Sequence, residues 1–214
     1  ETALAEHVER LDTLVATADE MLGAGNRIVP LDQMAKCLDP RLVFDKELRW
    51  VRGLSLGPNE PVWAPYELVG LDWRVTAPWH RNLFKMSSVG LAAHFSRDNA
   101  ILHGLLEAIE YDAVALVFAW PGILESLPRL NDGLATSPNL ISALDRVRMA
   151  GFEPEFVDIT TDVDLPTILC VLEASSTGFK RVAPFVGHAC RLDREEAMLA
   201  ALLEAVQTQA TDIS

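Results

Sequence analysis

Glutamates at helical spacing are the residues of this sequence best suited to chemistry. The segment LLEAIE at residues 105–110 has a close counterpart in LLEAVQ at residues 202–207. On a helix, His103, Glu107 and Glu110 share one face, because they are four and three residues apart. Two carboxylates at this spacing destabilise an exposed helix by about 0.2–0.5 kcal/mol, unless a cation lies between them. The spacing therefore favours a site for a hard divalent cation such as Mg²⁺, which binds carboxylate, water and phosphate oxygens.

Other interpretations of the same residues stay open. Glu-x-x-Glu pairs are common on solvated helix faces, and a lone histidine such as His103 more often makes a hydrogen bond than binds a metal. A carboxylate-bridged metal centre of Glu107, Glu110 and His103 is a third alternative, although the paired Glu-x-x-His pattern of di-iron helices is not seen. A nucleotide site here would lack a phosphate loop, since neither GxxxxGK[ST] nor GxGxxG occurs.

The acidic helix belongs to an internal repeat. Residues 90–110 align with residues 187–207 at a constant offset, and the alignment pairs Arg97 with Arg194 as well as the leucines and a glutamate. A weaker third copy of the acidic pattern occupies residues 4–9. The sequence therefore predicts a repeated loop-helix unit, with equivalent helices about one hundred residues apart.

Composition limits the class of protein. The chain has 214 residues, of which 50% are hydrophobic, and a formal charge of −13; this length fits one large domain or two small intertwined lobes. A net-negative surface without basic patches disfavours nucleic acid and anionic membranes as partners. Cys37, Cys170 and Cys190 have no CxxC spacing, so neither a disulfide framework nor a zinc site is indicated. No apolar run approaches the roughly 20 residues of a membrane-spanning helix, and the expected compartment is the cytoplasm.

Apolar spacing and turn residues indicate the elements that must position the glutamates. The predicted elements are, in chain order, a helix over residues 1–21, a hairpin of 48–54 with 61–65, a strand over 82–90, a helix capped by Ser96, a helix over 139–150, strands over 152–159 and 167–172, and a last helix over 193–209. Most tryptophans fall near the hairpin, which favours core packing, with a peptide-binding groove as the alternative. The pattern predicts an α+β fold with mixed or antiparallel sheets packed against helices.

Three segments of the chain resemble the YcaO family. SSVGLAA at residues 87–93, followed by NAILHGLLEAIEYDA at 99–113, is similar to the family's Ser-Asn-Gly-Leu-Ala loop and its helix ending Glu-x-x-Glu-Arg-Asp-Ala. ALAEHVERL at residues 3–11 resembles the family's first acidic helix, and AALLEAVQ at 200–207 resembles its late Arg-Ala-Leu-x-Glu-Ala-x-Gln-Ser-Arg helix. The resemblance implies one YcaO-like domain over residues 1–214, which lacks the family's N-terminal start and C-terminal end.

The resemblance also implies an activity. YcaO-type proteins use ATP and Mg²⁺ to phosphorylate a backbone amide oxygen of a peptide. An azoline then forms when a Cys, Ser or Thr side chain closes a ring, or a thioamide forms when sulfide enters; other members assist methylthiolation of a ribosomal protein. Positioned carboxylates suit this chemistry, because phosphoryl transfer depends mainly on positioning and charge neutralisation.

Site residues follow from the resemblance position by position. The residues implied to bind the nucleotide and its ion are Glu6, Glu9, Glu107, Glu110, Glu204 and Gln207. Among them, Glu9, Glu107 and Glu110 are the implied metal ligands, and no catalytic residue is assigned. The chain departs from the family pattern at five positions, which are Val89 and Phe95 in place of Asn, Asn99 in place of Glu, and Tyr111 and Gln209 in place of Arg.

Two functions are consistent with these features. The first is an ATP- and Mg²⁺-dependent cyclodehydratase-type enzyme that acts on a peptide or protein in the biosynthesis of a ribosomally made, modified peptide. The second is a degenerate YcaO-like module that keeps the fold and binds a peptide or partner protein without turnover. The expected partners are a peptide or protein substrate, a partner protein and a second copy of the chain as a homodimer, with neither nucleic acid nor membrane.

Overall fold

The computed structural model describes residues 11–34, 37–71, 83–120, 122–174 and 184–212. Its contacts divide the chain into two compact units, residues 1–93 and residues 94–214. The single domain expected over residues 1–214 stays a prediction. Within the described ranges, every helix is too short or too polar to cross a lipid bilayer.

The first unit is built on a three-stranded antiparallel sheet. Its strands are β1 (Thr13–Ala16), β2 (Leu48–Leu54) and β3 (Pro61–Pro65), in the order β1-β2-β3, and its helices are α1 (Ala18–Gly23) and α2 (Pro40–Val43). The predicted hairpin is thus confirmed as β2 and β3. Trp50 is fully buried in the core of this unit, and its indole N–H donates to the carbonyl oxygen of Ala16 at 2.9 Å. Core packing is therefore the role of this tryptophan.

Two predicted elements of the first unit are wrong. The helix expected over residues 1–21 is replaced at Thr13–Ala16 by β1, whose residues pair antiparallel with β2. A helix begins only at Ala18, after Thr17, which forms a capping box with Glu20; residues 1–10 lie outside the described residues. The strand expected over 82–90 is also absent from residues 83–90, where Phe84 makes a single bridge.

The second unit contains a four-stranded antiparallel sheet with long helices. The strands are β4 (Arg129–Leu130), β5 (Phe152–Asp158), β6 (Thr167–Ala174) and β7 (Phe185–Cys190), in the order β4-β5-β6-β7. The helices are α3 (Arg97–Ala119), α4 (Ile123–Ser126), α5 (Pro138–Met149) and α6 (Arg194–Asp212). This arrangement confirms the α+β class and the predicted elements over 139–150, 152–159, 167–172 and 193–209. Ser96 caps α3 as predicted, since its hydroxyl accepts from the N–H of Asn99.

Helices cover both faces of this sheet. Neighbouring strand residues point to opposite faces, so Phe156 and Ile168 pack with α5 and α6, whereas Val157 and Leu169 pack with Ala113 of α3. Both faces of β5 and β6 carry apolar side chains, because each face packs against helices. Helices α3 and α6 therefore lie on opposite sides of the sheet, and both contact β7, a strand at its edge.

The predicted loop-helix repeat is not confirmed. Both acidic helices begin at the aligned arginines, Arg97 and Arg194. The segments before them differ, because Gly90 lies in a turn with a φ of +86°, whereas Gly187 lies within strand β7. The repeat therefore describes the two helices and not the segments that precede them, and residues 4–9 lie outside the described residues.

Glu195 links α6 to the start of α5. Its carboxylate accepts from the N–H and the hydroxyl of Thr136, both at 2.9 Å, and from the N–H of Ser137 at 2.5 Å. The backbone donors of Thr136 and Ser137, followed by the Thr136 hydroxyl, lower the pKa of the Glu195 carboxyl. The carboxylate thus satisfies the N–H of the N-cap residue Ser137, which no helical bond can satisfy, and the donors of Thr136 just before it.

We expect Glu195→Gln to lower the thermal unfolding midpoint at neutral pH. Because the pKa in the folded state lies below that of the unfolded chain, this stabilisation is present above the unfolded value and is lost as pH falls through the folded one. The difference between wild type and variant should therefore shrink as pH is lowered toward 3, as followed by circular dichroism. Glu196→Gln is the matched control, because it removes the same charge from the same helical turn; an equal effect in both variants would contradict this account.

Candidate active site at the edge of the sheet

One cavity of about 400 Å³ opens between α3, β7 and α6 of the second unit. Helix α3 contributes its acidic face, α6 contributes its own acidic face, and the edge strand lies between them. The residues that line the cavity are His103, Glu107, Glu110, Tyr111, His188, Ala189, Arg191, Ala200, Leu203, Glu204 and Gln207. Three carboxylates therefore face one small space.

Glu110 is buried, with 8% of its surface exposed, and both of its oxygens are bonded to β7. Its Oε1 lies 2.7 Å from Nδ1 of His188, and its Oε2 accepts from the N–H of Cys190 at 3.0 Å. A buried carboxylate needs such partners, because an unpaired one would be strongly destabilising. The two bonds fix the orientation of the carboxylate while each oxygen keeps a further lone pair.

Glu204 bonds the same strand from α6. Its Oε2 accepts from the backbone N–H of His188 at 2.9 Å and lies 3.8 Å from Nδ1 of that residue. Within the described part of the chain, β7 is the edge of its sheet, so the N–H groups of His188 and Cys190 have no strand to pair with. Carboxylates from the two helices take the place of a further strand.

The acidic surroundings raise the pKa values of two aromatic side chains in the cavity, His188 and Tyr111. The hydrogen bond to Glu110 is the main cause that raises the pKa of His188, against the opposing effect of burial. Burial, followed by the charges of Glu107, Glu204 and Glu110, raises the pKa of the Tyr111 hydroxyl. The Tyr111 ring contacts the imidazole edge-to-face, with centroids 5.6 Å apart. The cavity therefore favours positive charge.

Gly187 allows α6 to approach β7 closely enough for these contacts. A Cβ atom at this position would lie 2.3 Å from the carbonyl oxygen of Ala201 and 2.3 Å from the backbone nitrogen of Ala205. Both are main-chain atoms of a helix and cannot move aside independently. Glycine is thus required here by space, and it sets the distance between the strand and Glu204.

The structure brings together four of the six predicted nucleotide-site residues. Glu107, Glu110, Glu204 and Gln207 all line the cavity, and so does His103. The remaining two, Glu6 and Glu9, lie outside the described residues. Of the four departures from the family pattern that lie in the second unit, Tyr111 lines the cavity, whereas Phe95, Asn99 and Gln209 do not; the fifth, Val89, belongs to the first unit. The roles of all six residues stay predictions.

Sequence reasoning missed two residues of the cavity. These are His188 and Arg191, for which the sequence predicts no role. Residues 185–190 form a short run of mostly small or apolar side chains, and this run is the signal that could have indicated a buried strand. Nothing local in the sequence shows that this strand lies at an edge.

The donor set fits a hard divalent ion. Ligand atoms of Glu110, His188 and Glu204 all lie within 4.8 Å of one another. Glu107 and Gln207 add further oxygens to the same cavity, and oxygen ligands are those that Mg²⁺ prefers. The imidazole nitrogen is already engaged by Glu110. The oxygens of α3 and α6 are therefore the groups best placed to hold an ion together with water and phosphate.

Sequence comparison relates the chain to a described family. The sequence model of a family described as YcaO cyclodehydratase, ATP- and Mg²⁺-binding, matches residues 2–214. A protein of Rhizobium leguminosarum bv. trifolii, described as an uncharacterized protein in the tfuA 3′ region, is 31% identical over 223 residues, which cover 100% of this chain and 51% of that protein. An uncharacterized protein of Methanothermobacter thermautotrophicus is 34% identical over 86% of this chain and 46% of that protein. The chain thus spans about half the length of these relatives.

Solved structures share the fold. A heterocyclase in complex with substrate and cofactor has a TM-score of 0.71 and 22% identity, over 91% of this chain and 28% of that one. The YcaO protein of Methanopyrus kandleri bound with AMPPCP and Mg²⁺ has a TM-score of 0.61 and 26% identity, over 77% of this chain and 41% of that one. The Escherichia coli microcin synthetase McbBCD complex with pro-MccB17 bound has a TM-score of 0.64 and 18% identity, over 82% and 44%.

Proposed function

Since the chain belongs to the YcaO family, we propose that it forms part of an enzyme that uses ATP and Mg²⁺ to phosphorylate a backbone amide oxygen of a peptide. The activated amide would then give an azoline or a thioamide. The observation that carries this proposal is the convergence of oxygen ligands from two helices, Glu107 and Glu110 on α3 and Glu204 and Gln207 on α6, on one cavity.

Charge in the cavity supports the proposal. Three carboxylates that share a small space repel one another, and burial of Glu110 strengthens that repulsion because the local dielectric constant is low. Among the described residues of the lining, Arg191 alone carries a permanent positive charge. A divalent cation would offset the remaining excess, which explains why three acidic side chains can share this space.

Each side chain would have a defined task. Glu107, Glu110, Glu204 and Gln207 would hold the ion through their oxygens. Arg191, whose Nη1 donates to the carbonyl oxygen of Cys190 at 2.7 Å, would present the rest of its guanidinium to phosphate oxygens. ATP supplies the phosphoryl group when it is bound, and the ion neutralises the charge on its phosphates. The residues that line the cavity would therefore position the phosphates and neutralise their charge.

The proposed partners follow from the structural neighbours. The heterocyclase was solved with a substrate, and the McbBCD assembly was solved with pro-MccB17. By analogy, we propose a ribosomally made peptide as substrate and a second protein as partner for this chain. Assembly as a homodimer and a cytoplasmic location stay predictions from the sequence.

A non-catalytic peptide-binding module is the second candidate. The observation that favours it is Tyr111, which lines the cavity where the family pattern has arginine. A phenol close to Glu107, Glu110 and Glu204 adds no positive charge, and these carboxylates raise its pKa further. The outcome that this candidate predicts is the absence of Mg²⁺-dependent nucleotide binding.

Calorimetric titration of the complete protein with AMPPCP separates the two candidates. We expect binding that depends on Mg²⁺, and Glu107→Gln should weaken it at least about tenfold, because loss of one ion ligand or its support typically costs 10–100-fold in affinity. Asp112→Asn is the matched control, because Asp112 lies on the same helix with an exposed side chain outside the cavity. Equal binding with and without Mg²⁺, or no binding, would overturn the enzymatic proposal.

A further inference from the structure

We propose that His188 is a positioning residue that holds the acidic groups of α3 and α6 in register for the ion and nucleotide. Its side chain fixes Glu110 and its main chain fixes Glu204, so one residue of the edge strand sets both helices. This inference rests on the proposed function, because it assigns His188 a role in the binding of the same ligand. The family pattern quoted for the sequence assigns no role to this position.

His188 bonds one carboxylate from each helix. Nδ1 of His188 lies 2.7 Å from Oε1 of Glu110, and the backbone N–H of His188 donates to Oε2 of Glu204 at 2.9 Å. The two carboxylates belong to helices on opposite sides of the sheet. A donor pair on a single residue is therefore the shortest connection between them among the described contacts.

His188 is itself held in place by its neighbours. Its side chain is 18% exposed, and its ring contacts Tyr111 edge-to-face at 5.6 Å. The residues on either side, Gly187 and Ala189, are buried, and Gly187 lies directly against the main chain of α6. The backbone N–H cannot reorient without moving the edge strand, and the ring is held by its contacts with Tyr111 and Glu110.

Glu110 is held by β7 through both of its oxygens. Its other oxygen accepts from the N–H of Cys190, so His188 and Cys190 hold both carboxylate oxygens from the side of the strand. The remaining lone pairs are those available to an ion in the cavity. Groups that orient a metal ligand in this way typically change metal affinity 10–100-fold when they are removed. His188 thus acts through Glu110 and does not itself need to touch the ligand.

The test compares two amides at position 188. The side-chain nitrogen of asparagine is attached to Cγ, as Nδ1 of histidine is, whereas that of glutamine lies one bond further from the main chain. We expect His188→Gln and His188→Leu to bind Mg²⁺–AMPPCP about 10–100-fold more weakly than wild type. His188→Asn should bind within about threefold of wild type, because it keeps a donor for Glu110. All variants keep the backbone donor to Glu204, and circular dichroism verifies their fold.

The outcomes of this titration are distinct. If the Gln and Leu variants bind Mg²⁺–AMPPCP as tightly as wild type, the positioning role of His188 is overturned and the proposed function is not. Equal losses in all three variants, including Asn, would also overturn it, because a merely structural role does not discriminate between donor positions. No Mg²⁺-dependent binding by wild type would overturn the proposed function and the role of His188 in it together. If the Leu variant does not fold, the Gln and Asn pair decides the question.

Discussion

Replacing Glu110 by glutamine should lower Mg²⁺-dependent phosphoryl transfer by at least about 100-fold, the size of loss seen when one preorganised group of an active site is removed. The substitution takes one negative charge out of the cavity at nearly constant shape. The amide oxygen can still accept from the N–H of Cys190, and the amide nitrogen can donate to the ring of His188 in its other tautomer. We therefore expect the variant to fold, so that its loss of activity reports on the charge.

Two measurements check this prediction. Phosphate release in the presence of the peptide substrate gives the rate, and calorimetry with AMPPCP and Mg²⁺ gives the affinity of the same preparation. Asp112→Asn, on the exposed side of the same helix, should leave both unchanged. A Glu110→Gln variant with wild-type affinity and rate would show that the buried carboxylate serves only to cap the N–H groups of the edge strand.

Gly187→Ala should strongly lower the free energy of unfolding of the second unit. The added Cβ would lie 2.3 Å from two backbone atoms of α6, so the strand and helix must separate. Overpacking of this kind costs about 3 kcal/mol or more in free energy of unfolding when main chain opposes it. The separation would also draw Glu204 away from His188 and so weaken nucleotide binding in any protein that remains folded.

Urea unfolding measures the stability effect, and Gly53→Ala provides the matched control. Gly53 also lies in a β-strand, but the nearest atom to its added Cβ is the carbonyl oxygen of Val62 at 3.7 Å, an ordinary contact. That control should change the free energy of unfolding by less than about 1 kcal/mol. Equal stability of the two variants would show that α6 can move away from β7 at little cost.

Local sequence signals predict those helices and strands that have clear capping residues and a regular spacing of apolar residues. Helix α3 begins after Ser96 as predicted, and α5 ends next to the predicted residue 150, before Gly151 with its left-handed φ, because caps depend on neighbouring residues alone. Residues 13–16 have a helical spacing of apolar groups, yet they form β1, because pairing with β2 outweighs a weak local preference. Tertiary pairing is not encoded in a short window, and this is why the first strand was missed.

The candidate site could be predicted only in part for the same reason. Repetition of an acidic helix and the family resemblance indicated Glu107, Glu110, Glu204 and Gln207, which share a cavity. His188 could not be found in this way, because its contacts reach 78 residues along the chain to Glu110 and depend on the position of β7 at the sheet edge. The pairing of β7 with β6 sets these contacts, and no sequence motif indicates that pairing.

We propose that α3, β7 and α6 form the nucleotide site. A crystal structure of the complete protein with AMPPCP, and with Mn²⁺ in place of Mg²⁺, tests this proposal most directly. Anomalous scattering locates the manganese without reference to the surrounding atoms. The account predicts a manganese peak in the cavity within bonding distance of oxygens from Glu107, Glu110, Glu204 or Gln207, with phosphate oxygens completing the coordination. Manganese and nucleotide bound together at another place, with this cavity holding only water, would contradict it.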